Sequence, residues 1–193
     1  MLWLIWKIND TVSVFLNNLV IKLHWQKFTA IMADAPIFFA PIFLVSMWIY
    51  WTIKLNLEKK KDLIFIFYSI VSAIITNLII QHIVFEHRPE TLVQPLIEHI
   101  PDASFPSDHA AVSFAFLTSL YLFGYKKTFW AYLPFVVLMN ASRIAVGVHW
   151  FFDVIAGMFV GIFWAFMLKK LRKNKILNKI ADFFIRIAGF FKL

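Results

Sequence analysis

Long apolar runs separated by short, lysine-rich loops set the pattern of the chain. A helix needs about 20 predominantly apolar residues to cross a bilayer core. Four stretches meet that need: Ile37 to Ile53, extended back to Phe28; Leu63 to Phe85; Thr128 to Val148; and Trp150 to Leu168. A fifth, Ser107 to Phe123, is shorter and opens on a polar cluster, which suits a helix tucked inside a bundle. The pattern predicts an all-α integral membrane protein, a bundle of five transmembrane helices. A sixth span is left open by the N-terminal segment, Leu2 to Trp25, whose apolar run is interrupted by Lys7, Asp10, Asn17, Asn18 and Lys22. We read that segment as an interfacial or half-inserted helix. At the other end Ile176, Leu177, Ile180, Phe183, Phe184, Ile187, Phe190 and Phe191 recur at helical spacing, punctuated by Lys175, Lys179, Arg186 and Lys192. Such a stripe predicts a basic amphipathic helix that lies on the membrane or binds a partner. The organisation expected is one membrane-embedded domain, 1–193, with an interfacial segment at 1–27, a transmembrane core at 28–171 and the amphipathic helix at 172–193.

Charge orients this arrangement. The loops "KLNLEKKKD", "GYKK" and "KKLRKNK" fall on one side if all five spans cross, and an excess of Lys and Arg marks the cytoplasmic side. All but five of the 19 Lys and Arg lie there, the exceptions being Lys7, Lys22, Lys27, Arg88 and Arg143. The polar loop from His87 to Pro106 and the turn between Arg143 and Asp153 are then expected outside. "MLWLIWK" lacks a basic leader and no small-residue cleavage site follows it, so no cleaved signal peptide is expected.

Composition agrees with a lipid environment. Hydrophobic residues make up 61% of the chain and charged residues 16%, against roughly 25% charged in soluble domains. With no cysteine, disulfides, thiolate nucleophiles and cysteine-ligated metals are all excluded. The net charge of +8 sits beside apolar spans, which points to anionic lipid and away from nucleic acid.

Against this background the ionisable residues at the outer ends of spans stand out, because such groups are costly near lipid. All six histidines (24, 82, 87, 99, 109 and 149) fall on that side. In "QHIVFEHRPE", Pro89 ends a helix and turns Arg88 into the loop, where its planar fork suits phosphate oxygens; a snorkelling arginine would look the same. In "ASFPSDHAAVSFAFL", Ser107 reads as an N-cap, and the first amides at Asp108, His109 and Ala110 form a cradle for an anion, or for the cap alone. In "SRIAVGVHWFFD", His149 and Asp153 share a helix face, so the carboxylate can accept Nδ1–H and leave Nε2 as nucleophile; a structural pair is the alternative. Gly157 and Gly161 form a small-xxx-small pair suited to helix packing. Together the clusters describe an anion site with a nucleophile, an orienting group and an acid, which fits phosphoryl transfer. An anion transporter would instead continue polar residues through the membrane along one helix face. A metal-dependent hydrolase would need a ligand spacing that these histidines do not show.

Arg88-Pro89, then "PSDH", then "SR" followed at fixed spacing by His149 and Asp153, resemble the three-part signature of the type 2 phosphatidic acid phosphatase superfamily. "FEHRPE", "DASFPSDH" and "VGVHWFFDV" look most like its bacitracin-resistance type, the undecaprenyl diphosphate phosphatases. The resemblance implies that His149 attacks phosphorus to give a phosphohistidine, oriented by Asp153. His109 would protonate the leaving lipid phosphate, while Arg88, Arg143, Ser107 and the helix-start amide of Asp108 hold the phosphoryl oxygens. No cofactor or metal is implied. Two positions depart from the family pattern: Gln81 stands where a phosphate-binding lysine is usual, and Asp108 where a glycine is usual. The expected activity is hydrolysis of a polyprenyl diphosphate outside the cytoplasm, in a multi-pass protein of a bacterial cell membrane. Phosphatidylglycerol phosphate, phosphatidic acid or a lipid A phosphate are alternative substrates, and oligomeric state is not legible.

Overall fold

The computed structural model describes residues 2–98 and 102–190; His99, Phe191 and Lys192 lie outside the described residues. Among the described residues the regular elements are all helical: α1 (Leu2–Lys22), α2 (Gln26–Asp34), α3 (Phe39–Ile53), α4 (Leu57–Ile83), α5 (Asp108–Leu122), α6 (Lys126–Ala145), α7 (Phe151–Leu171) and α8 (Lys175–Phe190). A 3₁₀ turn, Ala35–Phe38, joins α2 to α3, and Pro36 within it lacks the N–H that a continuing α-helix would use. By length and apolar composition three helical runs are able to cross a membrane: Gln26–Ile53, Leu57–Ile83 and Phe151–Leu171. The protein is a membrane protein, and its outward surface is accordingly apolar. Phe67, Ile75, Leu78, Ile79 and Ile83 of α4, Trp130, Phe135 and Val137 of α6, and Phe159, Phe163 and Phe166 of α7 are all exposed.

The core lies where α5 packs against α4, α6 and α7. Phe65 and Ile66 of α4, Phe116 and Leu120 of α5 and Val136 of α6 are fully buried there, with Phe39 and Phe43 of α3 stacked against Phe116 and Tyr132. The tightest contact is between α5 and α7. A Cβ added at Gly157 would stand 2.3 Å from the Ser107 carbonyl oxygen, and one at Gly161 would stand 2.3 Å from that of Ala111. Only glycine permits this approach, so the small-residue pair does pack helices. Two pairs of buried polar side chains meet across the helix contacts, Ser69 with Ser119 at 2.8 Å and Asn140 with Ser113 at 3.1 Å.

The two chain ends are fastened differently. In α1 the polar residues Asn9, Ser13 and Asn17 are buried on one face. Asn17 donates to the carbonyls of Gln94 (2.9 Å) and Ala145 (2.8 Å), and Asn9 accepts the first amide of α7, Phe152 N–H, at 3.0 Å. The residues that interrupt the apolar run are in part those that attach α1 to the bundle. At the opposite end Arg172 spans Glu58 and Asp62 at 2.9 Å each, and Lys61 meets Asp182 of α8 at 2.8 Å. Ile176, Ile180, Phe183, Ile187 and Phe190 of α8 remain exposed.

Candidate active site

The site is assembled where α5 and α7 begin, α6 ends and the loop after α4 folds back. Ser107 is the N-cap of α5, with its Oγ accepting the Ala110 amide at 3.5 Å. Its own N–H donates to the Asp153 carbonyl at 3.1 Å, which ties the mouth of α5 to the first turn of α7. The helix start therefore has its amides fixed beside the second motif pair, in the arrangement that binds anions elsewhere.

His149 is buried just before α7. Its Nδ1 donates to the carbonyl of Ser104 at 2.9 Å, while Asp153 Oδ2 lies 3.6 Å away. The spacing alone predicts that Asp153 accepts this proton; the structure gives the direct bond to a backbone carbonyl. Asp153 Oδ2 instead accepts the Trp150 amide at 2.8 Å and the hydroxyl of Ser104. The physical reason is helix capping: a carboxylate at the third position of α7 is drawn to the free N–H at its start. The consequence for His149 is the same tautomer. A carbonyl can only accept, so Nδ1 carries the proton and Nε2 keeps its lone pair. The Asp153 charge stays close enough to favour the ring when it becomes cationic.

The two arginines approach from different elements and are both buried. Arg88 donates through Nη1 to the carbonyl of Val148, next to the histidine, and through Nε to Asp102 Oδ1 at 3.1 Å. Arg143, at the end of α6, donates through Nη1 to Asp34 Oδ1, and its buried Nε finds no acceptor among the described residues. His109 stands in the first turn of α5 with Nε2 3.2 Å from the same Asp34 oxygen. Both guanidinium groups lie close enough to act electrostatically on both imidazoles. Four of the sequence-predicted residues are thus brought close together, beside Ser107 and Asp153, which are joined through the Ser107 N–H.

Gln81 and Asp108 are turned toward each other. Asp108 Oδ1 accepts from Asn77 at 2.9 Å and from Gln81 at 3.2 Å, and both amides also reach the Pro106 carbonyl, at 3.4 and 3.1 Å. The carboxylate is thereby held by amide donors on α4, which resolves the conflict of placing it beside an anion, and its backbone N–H stays in the helix mouth. The two departures from the family pattern form a single hydrogen-bonded unit. Among the described residues no three His, Asp or Glu side chains converge closely enough to ligate a metal ion.

The sequence model of the PAP2 superfamily matches residues 62–177, which include every motif residue from Gln81 to Asp153. The chain belongs to the PAP2 superfamily. The family expected from the three motifs is therefore borne out. Undecaprenyl-diphosphatase BcrC of Bacillus subtilis is 30% identical over 76% of this chain and 73% of its own length. The bacitracin transport permease protein BcrC of Bacillus licheniformis is 35% identical over 68% of this chain and 64% of its own. The crystal structure of Aquifex aeolicus LpxE shares the fold, with a TM-score of 0.65 at 20% identity over 84% of this chain and 94% of that one.

Within this PAP2 frame, sequence reasoning missed four residues. Ser104, fully buried, supplies the carbonyl on His149 and the hydroxyl on Asp153. It sits three residues before Ser107 and reads as ordinary loop. Asn77 and Asp102 pair with predicted residues, yet in sequence they are a mid-helix amide and a loop acid. Asp34 lies outside the matched region and carries no local signal at all.

Proposed function

We propose that this lipid phosphatase hydrolyses undecaprenyl diphosphate to undecaprenyl phosphate and inorganic phosphate. One observation carries the reading. A histidine with Nδ1 tied to a backbone carbonyl is buried within electrostatic reach of two buried arginines and of a second histidine in the first turn of a capped helix. Nε2 of His149 attacks the terminal phosphorus as the bond to the bridging oxygen breaks. The electron pair leaves with undecaprenyl phosphate, which takes a proton from His109. Water then attacks the phosphohistidine, His109 accepts its proton, and the P–N bond breaks to release phosphate. Arg88, Arg143, Ser107 and the amides of Asp108 and His109 stabilise the charge on the equatorial oxygens, where most of the rate gain of phosphoryl transfer arises. Asp153 favours the cationic ring.

The substrate follows from the names of the relatives and from the location of the site. A polyprenyl chain lies among exposed apolar helices while its diphosphate reaches the helix ends. The reading takes five helical runs as crossing, namely α2 with α3, α4, α5, α6 and α7, with the site on the side opposite the lysine-rich loops and thus outside the cytoplasm. In it α1 and α8 lie at the two membrane interfaces, and residues 1–193 act as one domain. Transport finds less support, because the buried Ser69 and Ser119, and Asn140 and Ser113, pair with one another across helix contacts and do not line a path.

Purified protein in detergent micelles tests the reading with a panel of undecaprenyl diphosphate, phosphatidylglycerol phosphate, phosphatidic acid and a lipid A phosphate. Wild type is expected to release phosphate from the first at least ~10-fold faster than from the others, and His149→Ala to release none. Equal release from all four would remove the substrate assignment. Release by His149→Ala would remove the nucleophile.

A further inference from the structure

Asp34, outside the predicted set, is an acidic side chain that touches two members of the proposed site. It ends α2, 109 residues before Arg143 in sequence. Its Oδ1 accepts from Arg143 Nη1 and stands 3.2 Å from His109 Nε2, so a single oxygen joins the proton donor to one arm of the phosphate clamp. The backbone that carries it is built in. Ala33 is fully buried against Val146 and Val148, in the turn leading to His149. Beyond it the Pro36 carbonyl accepts the hydroxyl of Tyr132, a residue of α6, at 2.6 Å. The side chain itself is half exposed, so the mouth of the site is open at this point.

Resting on the lipid phosphatase reading, we propose that Asp34 is a positioning residue for His109 and Arg143. The carboxylate sets the plane of the imidazole and of the guanidinium before substrate arrives. An imidazole near a bound phosphate and a guanidinium with a free Nε can each rotate; a shared acceptor removes that freedom in both. A carboxylate on a clamp arginine has another possible effect, which is to compete with a phosphate oxygen for it. The two effects separate in kinetics. Loss of positioning lowers kcat, whereas loss of a competitor lowers KM and leaves kcat alone.

The test measures phosphate release from undecaprenyl diphosphate in detergent micelles by wild type, His149→Ala, Asp34→Asn, Asp34→Glu, His109→Ala and the Asp34→Asn, His109→Ala double variant. Asp34→Asn is expected to lower kcat roughly 10- to 100-fold with KM within about threefold of wild type. Asp34→Glu, which keeps the charge but moves it by one methylene, should fall between the two. The double variant should lose clearly less than the product of the single losses, since both act through one imidazole. Wild-type kcat in Asp34→Asn, a fall in KM alone, or fully multiplicative losses would each overturn the inference. Where Asp34→Asn melts early, Asp34→Glu decides, and wild-type kcat there with displaced charge counts against positioning. A wild type that releases nothing removes the function and the inference together. An active wild type with a silent His149→Ala and an unaffected Asp34→Asn removes the inference alone.

Discussion

His149 shows how little of a catalytic side chain's setting has to come from another side chain. Its tautomer is set by the Ser104 carbonyl at 2.9 Å, and the acid four residues on supplies charge from 3.6 Å. The i, i+4 spacing made the pair legible in sequence; the carbonyl was not, because backbone groups carry no signature. The same limit hid Asp34, whose partners lie far downstream in the chain. Glu86, in the loop that follows α4, gives a residue-scale prediction. Its carboxyl is pushed up from an ordinary 4.5 to about 7, by burial first and then by the charge of Asp153. Between those values the folded protein holds a proton that the unfolded chain has released. The contribution of this group to stability is therefore full below about 4.5 and is lost as pH rises through about 7. Melting of the purified protein should shift downward between about pH 5 and about pH 8, and Glu86→Gln should flatten that shift. An identical pH profile in the variant would show that the carboxyl ionises alike in both states.

At the scale of elements, helix existence was legible almost everywhere and its purpose less so. The apolar runs predicted from Leu63 and from Trp150 appear as α4 and α7, with ends moved by a few residues. The N-terminal segment was harder. Asn17, read as one of the interruptions of its apolar run, stands four residues from Ser13 and eight from Asn9 in a buried helical stripe, whereas polarity near lipid usually faces water. Here it faces the bundle, and Asn9 and Asn17 hydrogen-bond to loop and helix ends. The α5–α7 contact yields a prediction. Gly161→Ala would place a methyl group 2.3 Å from the Ala111 oxygen and 2.6 Å from the Ala115 nitrogen. The rigid backbone must then move, at a cost on the order of 1–3 kcal/mol. Gly157→Ala presses on Ser107 itself. Both variants should melt lower, and Gly157→Ala should lose more activity for a similar loss of stability. Unchanged melting in both would mean that the helices are not in backbone contact.

For the whole molecule, the absence of cysteine makes orientation directly measurable. Leu92, exposed in the loop that follows α4, and Lys127, exposed in the first turn of α6, lie on opposite faces under the proposed topology. In intact cells a membrane-impermeant thiol reagent should label Leu92→Cys, and should label Lys127→Cys only after permeabilisation. The reverse pattern would invert the assignment of faces. Convergence of the three motifs was legible because each is compact and all sit at helix ends on one side. What holds them together was not legible, since it runs through glycine contacts, backbone carbonyls and long-range pairs.

The glycine seam has a further consequence. Where main chain rests on main chain, the spacing of imidazole and helix mouth is held by two hydrogen atoms, and any larger side chain at either glycine has to push the helices apart. Substitutions at the rim, in the loop that follows α4 and at the end of α2, leave that seam untouched. The spacing is cast in the backbone, and the rim is the part of the chain that can vary without parting the two helices.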